Sequence, residues 1–218
     1  MKEHEFSWEL FEKLPIIGIL RNYTRDEINN ILPVYQEAGF FNIEITMNTP
    51  GAVELIRHAS KNYGGVLNVG AGTVCNTKEL ESALKAGAQF IVSPVVDEDL
   101  IQDCVERKIP VFPGAFTPTE IYQAWTFGAS MVKVFPATKL GLTYIKEVKA
   151  PLDQIKLLPT GGVNLDNFIE FLEAGSSGLG MGGQLFKKEF IQKNDWDGLK
   201  NYLQQFVAIY SDYKSQQK

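Results

Sequence analysis

The stretch TPTEIYQAWTFGASMVKVFP, residues 117–136, holds a helix followed by a strand, and it sets the reading of the whole chain. Thr117 stands as an N-cap, Pro118 takes the first helical position, and Glu120 reaches back to complete a capping box. Gly128 stops the helix. The apolar run Met131-Val132-Lys133-Val134-Phe135 then follows at strand length.

The same rhythm extends in both directions. Apolar runs recur at Ile16-Ile17-Gly18-Ile19-Leu20, Asn42-Ile43-Glu44-Ile45-Thr46, Val66-Leu67-Asn68-Val69, Phe90-Ile91-Val92 and Pro110-Val111-Phe112. Two more follow the quoted stretch, Ile155-Lys156-Leu157-Leu158 and Gly178-Leu179-Gly180-Met181. Between them lie helix signals. Thr24 with Glu27 forms a capping box ahead of Ile28, Ile31, Leu32 and Tyr35, with Pro33 an awkward kink site. Asn76 with Glu79 opens a second helix, and Asn164 ahead of Phe168, Phe171 and Leu172 a third. Gly39, Gly87, Gly128 and Gly175 close helices shortly before new runs begin.

Alternating strands and helices predict an α/β protein with a parallel sheet, and eight such units in this length predict a single (β/α)8 TIM barrel over residues 15–210. An open doubly wound sheet is the alternative, disfavoured because no G-x-G-x-x-G opens the first helix. Phe6, Trp8, Leu10 and Phe11 predict a short helix within residues 1–14 capping one barrel end. Trp196 to Tyr210 reads as the last helix, and residues 211–218 as a frayed tail.

At 218 residues and 44% hydrophobic content, one domain is expected. The net charge of −5 is spread without blocks, so no nucleic-acid footprint appears, and an anionic substrate needs a local cationic or dipolar pocket. Cys75 and Cys104 lack metal spacing, and the only histidines, His4 and His58, read as surface residues, so no metal or other cofactor is expected. Residues 1–13 carry no signal-like apolar run and no later segment is of membrane-spanning length, which predicts a soluble, cytoplasmic protein in a reducing compartment.

Lys133 inside an apolar strand is the first chemical anomaly. A desolvated ammonium loses part of its preference for the charged form, and a neutral amine attacks carbonyls. The bland alternative is a lysine stem that snorkels to a rim. Glu44 between Ile43 and Ile45 is the second, a general acid/base with a shifted pKa or else a structural ion pair, with Lys133 itself a possible partner. Pro159-Thr160-Gly161-Gly162 and Gly180-Met181-Gly182-Gly183 follow the last two runs, where barrel phosphate sites lie; turn geometry alone would also explain one glycine pair. Gly70-Ala71-Gly72-Thr73 reads as a further turn whose Thr73 hydroxyl can bond a carboxylate. Arg21 ends the first run, placed for a bidentate anion contact or a rim salt bridge. Pro94 and Phe135 offer apolar surface for the methyl side of a small keto acid, or simple packing.

Taken in order, Ile19-Leu20-Arg21, Ile43-Glu44-Ile45-Thr46, Gly70-Ala71-Gly72-Thr73, Val92-Ser93-Pro94, Phe112-Pro113-Gly114, Lys133-Val134-Phe135-Pro136 and Pro159-Thr160-Gly161-Gly162 resemble the 2-keto-3-deoxy-6-phosphogluconate (KDPG) and 4-hydroxy-2-oxoglutarate aldolases. The resemblance spans about residues 15–190. It implies a (β/α)8 barrel, a homotrimer, no metal, and class I chemistry on pyruvate and a phosphorylated aldehyde, in an Entner–Doudoroff-type or other sugar-acid catabolic role. By position it implies Lys133 as the Schiff-base lysine and Glu44 as the acid/base. It likewise implies Thr73 and Arg21 at the carboxylate, Thr160 at substrate hydroxyls, and Gly161, Gly162 and Gly183 at the phosphate. Two positions depart. Asn48 stands near an arginine of some members, within a Glu44 to Pro50 segment that resembles the 6-phosphogalactonate branch, and Gln184 replaces a common serine. A sugar-phosphate isomerase or epimerase with Glu44 as base, or a non-catalytic sugar-phosphate-binding relative, are the readings from other classes.

Overall fold

The computed structural model describes residues 5–217, so His4 lies outside it. In chain order, α1 (Trp8–Lys13), β1 (Ile16–Leu20), α2 (Arg25–Glu37), β2 (Asn42–Thr46), α3 (Ala52–Tyr63), β3 (Asn68–Gly72) and α4 (Thr77–Lys85) come first. They are followed by β4 (Ile91–Val92), α5 (Glu98–Glu106), β5 (Val111–Phe112), β6 (Gly114–Ala115), α6 (Pro118–Thr126) and β7 (Val132–Val134). A 3-10 turn at Ala137–Lys139, α7 (Gly141–Lys149), β8 (Leu157–Pro159), α8 (Phe168–Glu173), β9 (Leu179–Met181), α9 (Lys188–Gln192) and α10 (Trp196–Gln216) complete the order.

The closed eight-stranded barrel expected from the sequence does not form. Parallel pairing divides nine strands into a six-stranded half-barrel, β5-β4-β3-β2-β1-β9, and a small three-stranded sheet, β6-β7-β8. Proline accounts for the division, because it has no N–H to give a ladder. The strands β1 to β3 contain none and run five residues each, whereas β4 to β8 are two or three residues long and sit among Pro94, Pro110, Pro113, Pro136 and Pro159. Pro113 is the seam: Phe112 O accepts the Ser93 N–H at 3.3 Å on one side, and Pro113 O accepts the Lys133 N–H at 2.8 Å on the other. At the far seam, Ser177 N–H donates to Leu157 O at 2.8 Å and one isolated bridge joins Thr160 to Gly180.

The caps follow the sequence closely. Both capping boxes form, at Thr24/Glu27 and Thr117/Glu120, and Asn76 accepts from the Glu79 N–H. Gly39, Gly87, Gly128 and Gly175 all take φ near +100°, the left-handed exit that favours glycine. Pro33 is tolerated inside α2. Three local readings need correction. Gly70 to Gly72 belongs to β3 and is not a turn, because each residue there pairs with β2. The helix expected from Asn164 begins at Phe168, since the Asn164 side chain accepts the Asp166 N–H and holds a turn in front of it. Residues 211–216 continue α10 and do not fray, with Tyr213 packed on the Tyr210 ring at 6.3 Å.

Two apolar layers hold the molecule. Alternate strand residues such as Ile43, Ile45, Val69, Val132 and Val134 face the helices, while Ile17, Phe90, Val92, Phe112, Met131 and Leu158 from both sheets converge inward on Phe11 of α1. Buried polar groups fasten α1 to the strand starts. The Asn68 side chain accepts the Ser7 N–H at 2.7 Å and donates to Ser7 O and to Asn42 Oδ1, both at 2.8 Å; Asn42 in turn donates to Leu14 O at 3.1 Å. Replacing Asn68 with Ala breaks three bonds and strands the buried Asn42 Oδ1 and the half-buried Ser7 backbone groups, so urea unfolding should show a loss of roughly 2–4 kcal/mol.

Candidate active site

Alternation along β7 turns Val132 and Val134 toward the helices and Lys133 inward with Met131. Lys133 is 3% exposed, and its Nζ lies 4.8 Å from the centre of the Phe135 ring two residues on. Among the described residues it forms no ion pair. Burial pushes its pKa down; Glu44 partly opposes this and Arg21 adds to it.

Glu44 comes from the middle of β2, is 2% exposed, and has an Oε1 with no hydrogen-bond partner. Burial raises its pKa, with Lys133 and Arg21 pulling the other way. Room for this carboxylate is made by the neighbouring strand: a Cβ on Gly72 would overlap Glu44 Oε1, and one on Gly70 would overlap the Phe90 ring. The same device recurs at Gly180, where a Cβ would overlap Thr160 Oγ1.

Arg21 leaves the end of β1 exposed and donates from Nη2 to Thr73 Oγ1 at 3.4 Å. Thr73 holds φ +57°, an unusual conformation for a β-branched residue. Strain of this kind costs on the order of 1–3 kcal/mol and clusters at functional sites. Asn22, at φ +61°, is fixed by its N–H to Thr49 Oγ1 at 3.0 Å.

A cavity of about 380 Å³ opens over the strand ends. Lys133, Arg21, Phe135, Thr160, Gly161, Gly162 and Gly183 all line it, together with Tyr23, Met181, Gln184 and Lys188. Gly161 and Gly162 have φ of +98° and +80°, leaving their backbone free to turn toward a ligand in a way side-chain-bearing residues resist. The lining carries three basic side chains, Arg21, Lys133 and Lys188, and no carboxylate. Such a pocket in a chain of net charge −5 selects anions. Among the described residues no group of three or more His, Cys, Asp or Glu is arranged to hold a metal.

The remaining sequence candidates lie around this cavity. Glu44 is not in the wall but lies near enough to Lys133 for each charge to act on the other, and Thr73 joins through Arg21. Pro94 lines a second cavity of about 480 Å³, which shares Phe135 as a wall and does not include Lys133. Of the two, only the smaller cavity holds the buried amine, which makes it the candidate site. Tyr23 went unread in the sequence, where it passes for the lead-in to α2; its hydroxyl donates to Phe186 O at 3.2 Å, and burial with Glu27 nearby pushes its pKa up to about 12.

A sequence model described as KDPG and KHG aldolase matches residues 8–202. The chain is 35% identical over 176 residues to a 2-dehydro-3-deoxy-6-phosphogalactonate aldolase of Escherichia coli K12, covering 80% of this chain and 86% of that protein. It is 31% identical over 206 residues to a 2-dehydro-3-deoxy-phosphogluconate aldolase of Haemophilus influenzae, covering 92% and 96%. A solved, cube-shaped protein cage designed by fusing symmetric oligomeric domains superposes with a TM-score of 0.85 at 32% identity, covering 94% of this chain and 75% of that one.

Glu44 supplies a test of the dry interior. Its folded pKa lies above the unfolded value of 4.5, so the folded state is penalised for the carboxylate as pH rises through the folded pKa. Glu44→Gln should therefore resist urea better than wild type at pH 8, and the advantage should vanish as pH falls toward 4.5. An equal midpoint at both pH values would show that the carboxylate is solvated.

Proposed function

Because the chain belongs to the KDPG and KHG aldolase family, we propose that this class I aldolase cleaves and re-forms the C3–C4 bond of 2-keto-3-deoxy-6-phosphogluconate. The products are pyruvate and glyceraldehyde 3-phosphate, and 4-hydroxy-2-oxoglutarate is handled by the same residues to give pyruvate and glyoxylate. The observation that carries this reading is the buried, unpaired Lys133 at the base of an acid-free cavity, its pKa lowered by desolvation.

The neutral amine of Lys133 adds to the C2 carbonyl, and the carbinolamine loses water to give an iminium. The C3–C4 electron pair then moves to the iminium nitrogen as the C4 hydroxyl gives up its proton, which releases the aldehyde and leaves an enamine. Protonation at C3 and hydrolysis free pyruvate and regenerate the amine. Glu44, with its raised pKa, carries protons at the carbinolamine and enamine stages. Arg21 and Thr73 hold the keto-acid carboxylate, Thr160 meets the substrate hydroxyls, Phe135 shapes the pyruvate end, and the turns at Gly161, Gly162 and Gly183 receive phosphate. Pro94 serves from the far side of Phe135.

A second reading, the 6-phosphogalactonate epimer as preferred substrate, is favoured by Asn48 in the segment after Glu44 and by the 35% identity to the E. coli enzyme of that name. A single domain carries the site, and the assembly is a homotrimer. Exposed Val95 and Phe116 in the wall of the second cavity, with exposed Tyr122, supply apolar surface for it, and the designed cage rests on symmetric oligomeric domains. No described helix is long and apolar enough to cross a membrane, which fits a cytoplasmic enzyme of sugar-acid catabolism.

Borohydride trapping with pyruvate, followed by intact mass and peptide mapping, should find one adduct, on the peptide holding Lys133. Lys133→Met should lack both adduct and turnover. Absence of an adduct on folded wild-type protein would move the reading to an isomerase with Glu44 as base, or to a binding protein. The trapping rate should rise with pH as the amine loses its proton and level off below 10.5, the ordinary lysine value, since burial lowers this pKa.

A further inference from the structure

Lys188, the first residue of α9, lines the reaction cavity beside the Gly182-Gly183 turn. Its neighbour Lys187 is engaged elsewhere, with Nζ 4.4 Å from the centre of the Tyr202 ring. Among the described residues Lys188 forms no ion pair, and no acidic side chain shares the cavity wall with it. Of the three basic groups in the wall, Lys133 is the buried amine and Arg21 is tied to Thr73. Only Lys188 is left to neutralise an anion at the glycine-rich end.

The surroundings of that end leave a vacancy for charge. A Cβ on Gly183 would meet nothing within 4 Å, so the turn is open, and Gln184 beside it brings an amide with no charge. Backbone N–H groups alone bind a phosphate dianion through partial charges; a lysine adds a full one. The bridge between Thr160 and Gly180 sets the Gly161-Gly162 turn alongside the Gly182-Gly183 turn, so both face the space that Lys188 enters.

The geometry points to Lys188 as the cation that receives the phosphate end of the substrate and makes the enzyme prefer phosphorylated over unphosphorylated keto-deoxy sugar acids. This rests on the aldolase reading for the identity of the substrate, though not for the existence of the anion site.

Wild type, Lys188→Met and Lys188→Arg would be titrated calorimetrically with glycerol 3-phosphate, and kcat/KM compared for 2-keto-3-deoxy-6-phosphogluconate and its unphosphorylated form. Lys188→Met should weaken glycerol 3-phosphate binding roughly tenfold or more, the scale of one lost charge-assisted hydrogen bond, and lower the phosphorylated-to-unphosphorylated kcat/KM ratio by a like factor. Lys188→Arg should restore both. Equal affinities and equal ratios in all three proteins would overturn the assignment, as would a wild type that does not bind glycerol 3-phosphate. Binding that depends on Lys188 in a protein that turns over neither acid would instead overturn the aldolase reading and leave the lysine in its role.

Discussion

Everything in this molecule answers to one constraint: an amine and a carboxylate must be kept dry in a shared interior without neutralising each other by direct contact. Lys133 and Glu44 are 3% and 2% exposed, yet form no ion pair. Desolvation outweighs their mutual attraction in both pKa shifts, so burial drives each group toward its neutral form. A less basic amine and a less acidic carboxyl are what the proposed imine chemistry asks of a nucleophile and a proton carrier. Both groups stand on strands, which fixes them more firmly than loops would.

The small residues around them follow from the same requirement. Gly72 is small because Glu44 fills the space where its side chain would be, and Gly70 because Phe90 does. The buried amides of Asn42 and Asn68 hold α1 across the strand starts, which keeps Phe11 against Phe112 and the inner apolar cluster sealed. The cost of burying these polar groups is offset by near-complete hydrogen bonding. Glu44 Oε1 and Ser176 Oγ are the exceptions among the described residues, and the first belongs to the carboxyl whose charge is coupled to Lys133.

Much of the site was legible in the sequence because its residues break local rules. A lysine and a glutamate inside apolar runs are conspicuous, and paired glycines after the last two runs mark turns. Helix caps were equally readable, being local by nature, as Thr117 with Glu120 illustrates. What escaped was relational. Eight apolar runs can be counted along the chain, but whether their ladder closes depends on which N–H groups face which carbonyls, and Pro113 places its gap at a seam visible only once β4 and β7 flank it. Gly70 to Gly72 reads as a turn until the register with β2 reveals a strand making room for Glu44. The left-handed φ of Thr73 leaves no compositional trace, and Lys188 is one surface lysine among many until the turn before it brings it to the cavity.

The aromatic cluster behind Lys133 has a kinetic meaning. With Phe6, Phe11, Phe90 and Phe112 packed together at the strand starts, the interior is stoppered at that end, and Lys133 is reached from the strand tips. A compartment that opens at one end imposes a queue. With the roles proposed for Lys133 and the glycine turns, the fragment tethered to the amine sits deepest and the fragment held by the turns nearest the exit. On that proposal the aldehyde leaves first and the keto acid last, and in synthesis they enter in the reverse order.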